Sequence, residues 1–164
     1  MKRVVIVRHA KSVPYGYEDD YNRDLKDRGK NDAKLVSQEL KKRGIFPDAM
    51  ISSPAKRAIK TARIFADNLG FNRKDILEIE DIYDGLTTSE FLEIVQNLPN
   101  EAETAFFFGH NPGFHYFVSN LLSYFGGDMP TCSTVGIDFD IEVWKNTQAR
   151  TGQKAFHITP KMLK

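Results

Sequence analysis

Residues 4–12 read VVIVRHAKS, and the first four of them decide the fold. Val4, Val5, Ile6 and Val7 form an unbroken β-branched run, which reads as a short strand buried on both faces. The strand RVVIVRH, 3–9, leaves that buried run on Arg8 and His9. SVPYGYEDDYNRDLKDRG, 12–29, is rich in turn formers and reads as a loop. From Asp27 to Arg43, Ala33, Leu35, Val36 and Leu40 supply a helical stripe that Gly44 stops. DAMISS, 48–53, reads as a second strand. SPAKRAIKTARIFADNLG, 53–70, reads as a helix capped by Ser53, with Pro54 at its first position and Gly70 at its end.

The pattern continues to the other end of the chain. DILEIED, 75–81, reads as a third strand and SEFLEIVQNL, 89–98, as a helix capped by Thr88 or Ser89. ETAFFFGH, 103–110, is a very apolar fourth strand, and GFHYFVSNLLSYFG, 113–126, a helix. TVGIDFDIEVW, 134–144, and KAFHITP, 154–160, are the last two strands. Strands alternating with helices predict an α/β protein, a three-layer α/β/α sandwich on a mainly parallel central sheet. No helix separates the last two strands, so an antiparallel edge is expected near the C-terminus. The 164 residues fit one domain, 1–164, with a sizeable core.

Composition narrows the function. Lys and Arg number 23 against 22 Asp and Glu, a net charge of +1, which argues against a general nucleic-acid binder. The single cysteine, Cys132, allows no intramolecular disulfide and fits a reducing, cytoplasmic compartment. MKRVVIVRHAK has too short an apolar run for a signal peptide or anchor, and no membrane partner is expected.

Three strand ends carry the chemistry. One ends in Arg8 and His9, one in Ser52 and Ser53 with Arg57 soon after, and one in Gly109, His110 and Asn111. In an open α/β sheet, ligands bind beyond the carboxyl ends of the strands. Two arginines and two histidines should therefore converge at one sheet edge. Forked guanidinium donors match phosphate oxygens, and a helix start adds backbone N–H groups. A neutral imidazole beside that anion can attack phosphorus, with Arg8, Arg57 and His110 holding the transferring oxygens and Asn111 beside them.

RHAKS at 8–12, SSPAKRAIKTA at 52–62 and GHNPG at 109–113 resemble the histidine phosphatase superfamily, relatives of the phosphoglycerate mutases. The RHAKS opening, the short length and NRDLKDRG resemble its small SixA-like branch, the phosphohistidine phosphatases. The resemblance implies a phosphoglycerate mutase-like fold and a phosphorylated nucleophile at His9. It implies a phosphate pocket completed by Arg8, Arg57 and His110, with Arg23 near the mouth and Ser12 at the small hydroxyl position. Ala10 replaces the commoner glycine after the histidine, and Asp24 a common proline. Many relatives place an acid four residues before a glycine, and counting back from Gly85 gives Asp81, with Glu80 beside it.

The expected activity is hydrolysis of a phosphoryl group through a phosphohistidine on His9, releasing inorganic phosphate, with no cofactor and no metal. The substrate implied by the branch is phosphohistidine on a protein such as a phosphotransfer domain. A leaving imidazole, whose conjugate acid has a pKa of about 6.5, needs little help from a general acid. Competing readings are a phosphatase for small phosphorylated metabolites, of sugar or nucleoside type, and a non-catalytic phosphate-binding module. The spacing C-x5-R from Cys132 fails at Asp138, so a cysteine phosphatase is excluded. His115 and His157 read as packing residues, Lys11 as an exposed lysine, and YGYEDDY, 15–21, as a substrate-contacting rim or a plain surface loop.

Overall fold

A computed structural model describes residues 1–14, 16 and 19–164. Tyr15, Tyr17 and Glu18, part of the stretch read as a rim, lie outside the described residues. The strands are β1 (Lys2–Arg8), β2 (Ala49–Ser52), β3 (Leu77–Glu78), β4 (Thr104–Gly109), β5 (Thr134–Phe139) and β6 (Gln153–Ile158). They form one six-stranded sheet in the order β3-β2-β4-β1-β5-β6. β3, β2, β4 and β1 run parallel, whereas β5 pairs antiparallel with β1 and β6 antiparallel with β5. The mixed sheet and its antiparallel C-terminal edge are as expected.

The β-branched run explains the layers. Successive strand residues point to opposite faces. Val4 and Ile6 enter one core, with Phe107 of β4, while Val5 and Val7 enter the other, with Phe106 and Phe108. The first core is closed by α4 (Thr88–Gln96) and α5 (Gly113–Leu121) through Phe91, Val95, Phe114 and Phe117. The second is closed by α1 (Asp27–Lys42) and α2 (Lys56–Leu69) through Ala33, Val36, Ala62 and Phe65. Each fully buried phenylalanine contributes on the order of 2–3 kcal/mol. Among the described residues no helix is long and apolar enough to cross a membrane.

Several local expectations are corrected. β3 keeps only two residues, both exposed, because Glu80–Asp84 wind into a short helix, α3. α2 starts three residues later than Ser53, with Ala55 at the cap position; the Ser53 hydroxyl accepts the Ala55 N–H at 3.1 Å instead of capping. Thr87 caps α4, rather than Thr88 or Ser89, because it closes a reciprocal capping box with Glu90. α5 stops at Leu121, where Asn120 and Leu121 carbonyls accept N–H groups of Arg150 and Gly152. β5 ends at Phe139, and a 3₁₀ turn then drives Trp144 fully into the core, its indole N–H donating to Ala102 at 2.8 Å.

Candidate active site

β1 delivers His9 to the carboxyl edge of the sheet and its neighbours fix it there. The His9 N–H donates to Gly109 at 2.9 Å and its carbonyl accepts from Cys132 at 3.0 Å. Cys132 adopts φ 62°, a left-handed conformation at the turn into β5. On the helical side, the Ala10 N–H donates to Thr61 Oγ1 at 3.0 Å, and Thr61 donates in turn to the Arg57 carbonyl at 2.7 Å. The strand end is therefore tied to both adjoining strands and to α2.

The imidazole itself is oriented. His9 Nδ1 lies 2.8 Å from the Ala10 main-chain oxygen. A carbonyl only accepts, so Nδ1 carries the proton and Nε2 keeps its lone pair. The residue is 7 % exposed. Burial pushes its pKa down to about 3, and His110, Arg57 and Arg8 push the same way against the Ala10 hydrogen bond. His9 is thus neutral across the physiological range.

His110 follows β4, with ring centroids 5.3 Å from His9. Its Nε2 lies 2.8 Å from the Ser53 hydroxyl. Burial, followed by the charge of Arg57, lowers its pKa to about 4. Arg57, in the first turn of α2, is 5 % exposed and donates to the Asp20 main-chain oxygen at 2.6 Å and to its carboxylate at 3.0 Å. Arg8 and Asn111 both donate to the Met129 carbonyl at 3.0 Å.

These groups meet around one cavity of about 340 Å³. Arg8, His9, Ser12, Arg23, Arg57, His110 and Asn111 all line it, as do Lys11 and Lys26. Among the described residues, five cations and no carboxylate face the space. Arg8 Nε, Arg57 Nε, His110 Nδ1 and Asn111 Oδ1 are buried without a partner among the described residues. A space lined by guanidinium and ammonium groups suits a compact oxyanion. Among the described residues, no group of three His, Cys, Asp or Glu is placed to hold a metal ion.

The structure does not bring Asp81 to this cavity. Asp81 is exposed and lines a separate hollow with Leu77, Leu86 and Glu93. The physical reason is the helical turn α3, which rotates successive side chains by about 100°. Ile82 goes into the core and Tyr83 turns toward the site instead. The Tyr83 hydroxyl donates to Asp20 at 2.9 Å, and its ring meets His110 edge-on at 5.6 Å. Glu80, beside Asp81, is exposed as well.

Asp20, Tyr83 and Thr61 are the residues that sequence reasoning missed. Asp20 pairs with Arg57, Arg23 and Tyr83. Burial alone would raise its pKa, but the hydrogen bonds from Tyr83 and Arg57 win and hold it at about 2. Thr61 carries a sequence signal, four residues after Arg57 on the same helix face, and Asp20 falls in the 15–21 stretch that reads as a rim or a surface loop.

A family model described as the histidine phosphatase superfamily (branch 1) matches residues 4–113. Phosphoserine phosphatase 1 of Hydrogenobacter thermophilus is 38 % identical over 100 residues, covering 57 % of this chain and 46 % of that protein. The matched stretch thus spans less than half of that relative. The protein histidine phosphatase SixA complexed with tungstate superposes with a TM-score of 0.86 at 20 % identity, over 99 % of both chains. SixA of Agrobacterium tumefaciens superposes with a TM-score of 0.81 at 22 % identity, over 97 % of this chain and 98 % of that one. At such identities these likenesses show the fold.

Proposed function

Because this chain belongs to the histidine phosphatase superfamily, we propose that it hydrolyses phosphohistidine on a protein through a covalent phosphoryl intermediate on His9. The observation that carries this reading is the His9 Nδ1 contact with Ala10, which leaves Nε2 as the nucleophilic atom in a cavity lined by cations.

In the first step the His9 Nε2 lone pair forms a bond to phosphorus and the bond from phosphorus to the substrate imidazole nitrogen breaks. The departing imidazole takes its proton from water. Arg8 and Arg57 hold the equatorial oxygens by charge-assisted hydrogen bonds. The Ser53 hydroxyl, which accepts from Ala55, lies 2.8 Å from His110 Nε2 and orients that ring. His110, in the cavity wall, stabilises the transferring oxygens. In the second step water attacks phosphorus, the bond to His9 Nε2 breaks and inorganic phosphate leaves. Arg23, Ser12 and Asn111 complete the pocket wall.

The leaving group decides between substrates. An alkoxide needs a general acid. Among the described residues no carboxyl group lines the cavity, and Asp20, with a pKa of about 2, holds no proton near neutrality. Imidazole leaves without such help. The competing reading is hydrolysis of a small phosphate ester, favoured by the likeness to a relative named as a phosphoserine phosphatase.

The test sets a histidine-phosphorylated photransfer domain beside phosphoserine and a panel of sugar phosphates. Preference for the phosphodomain, with acid-labile label trapped on the chain and lost in His9→Ala, is expected. A strong preference for the esters rejects the protein substrate. Label that survives His9→Ala rejects the nucleophile.

A further inference from the structure

The net charge of +1 hides a segregation along the chain. All 23 Lys and Arg residues lie within 1–74 or 145–164, whereas residues 75–144 carry 13 of the 22 acids and not one Lys or Arg. The fold turns this division into two faces. The acidic stretch builds α4 and α5 on one side of the sheet, and the basic stretch builds α1 and α2 on the other.

On the basic side the carboxylates are largely neutralised by neighbours. Asp24 pairs with Lys60 at 2.9 Å, Asp32 with Lys164 at 2.9 Å, Glu39 with Arg43 at 2.7 Å and Asp67 with Arg73 at 2.6 Å. Beside α1 and α2 lies a hollow of about 230 Å³ lined by Lys30, Lys60, Arg63 and Arg73 around Leu25 and Ile64. No carboxylate lines it, and Lys30 and Arg63 make no ion pair among the described residues. The hollow and the His9 cavity are joined through neighbouring residues of the chain. Leu25 is bridged to Ser12, and Lys26, the next residue, lines the cavity with Ser12.

We propose that the hollow of Lys30, Arg63 and Ile64 docks the acidic surface of the phosphorylated protein whose phosphohistidine enters the His9 cavity. The proposal rests on the protein-substrate reading above. Charge complementarity selects the occupant: carboxylates answer Lys30 and Arg63, which have no ion pair among the described residues, and an apolar side chain answers Ile64. Exposed Glu90, Glu93, Glu101 and Glu103 on and beside the α4 side repel the same partner, so its approach is oriented toward the cavity mouth. A nucleic acid fits less well, because among the described residues no aromatic side chain lines the hollow for base stacking. A lipid surface fits less well, because no apolar wedge projects from it.

The test is the double variant Lys30→Glu/Arg63→Glu, assayed on a histidine-phosphorylated acidic phosphotransfer domain and on phosphoramidate, which needs only the cavity. The expected result is a rise of about tenfold in KM for the phosphodomain, with kcat and the phosphoramidate rate within about twofold of the unaltered protein. Added salt should erase the difference. An unchanged KM, or an equal loss on phosphoramidate, overturns the docking surface alone. Turnover of phosphoramidate but not of the phosphodomain by the unaltered protein overturns the substrate reading, and the docking proposal with it. Tighter binding of RNA or of anionic vesicles than of the phosphodomain at equal salt overturns the choice of partner.

Discussion

Arg57 is held by a carboxylate of its own chain: the Asp20 side chain accepts from its guanidinium at 3.0 Å, and the Asp20 main-chain oxygen accepts a second N–H at 2.6 Å. An incoming phosphoryl group therefore meets an arginine that is oriented and already partly neutralised. Asp20→Asn keeps an acceptor for Arg57 and Tyr83 but removes the negative charge. Inorganic phosphate should then inhibit at a concentration about tenfold lower, because one like charge beside the anion is gone. Competitive inhibition constants check this; an unchanged or weaker constant contradicts it.

The two histidines should resist protonation. Their pKa values in the fold, about 3 for His9 and about 4 for His110, lie below the unfolded value near 6.5. Their ring proton signals should show no titration step between about pH 5 and 8 in a magnetic resonance titration.

The same shifts set a pH dependence of stability. As pH falls, the unfolded chain binds protons first, so the fold loses stability. The contribution is whole above about pH 6.5 and is lost progressively as pH falls toward the folded values of about 4 and 3. Calorimetric melting temperatures should drop over this window. His9→Asn should show a shallower drop.

Thr61 acts on the nucleophile through the backbone. Thr61→Val leaves the buried Ala10 N–H without its acceptor at 3.0 Å. A cost of about 1–3 kcal/mol in urea unfolding is expected. A fall in kcat should accompany it, since Ala10 also supplies the oxygen that fixes the His9 tautomer.

Gly29 sits where α1 meets the loop after His9. A Cβ there would lie 2.1 Å from the Lys11 carbonyl oxygen, which accepts the Lys26 N–H at 3.0 Å. Gly29→Ala should destabilise by about 1–3 kcal/mol and displace the Lys11 and Lys26 side of the cavity. Chemical denaturation together with KM measures both effects.

Asp81 faces another hollow. Asp81→Asn should change turnover of a phosphohistidine substrate by less than about twofold. Removal of an oxyanion donor, as in His110→Ala, costs about 10²–10³. Steady-state rates of the two variants, side by side, decide whether a carboxyl at Asp81 takes part.

The three strand ends were legible because a β-branched or aromatic run cannot hide its direction. Val4–Val7 and Phe106–Phe108 announce buried strands, and a parallel sheet places their carboxyl ends together. Lost were features that depend on rotation or distance. Asp81 was read at a strand end, but the local chain is helical, and one helical step brings a different side of the segment to the site. Ser53 was read as a cap because it precedes Pro54, yet its hydroxyl serves Ala55 and His110. Asp20 reaches Arg57 across 37 residues from a loop whose composition says only that it turns. The two charged faces were invisible to a net count, since opposite halves cancel.

β1 lies between β4 and β5, and the amide of His9 is bonded into that centre. Hydrogen exchange at this amide should therefore require the whole molecule to open, rather than local fraying. Heat inactivation and cooperative melting then become a single event, and no half-melted form would keep its packing while mislaying its reactive nitrogen.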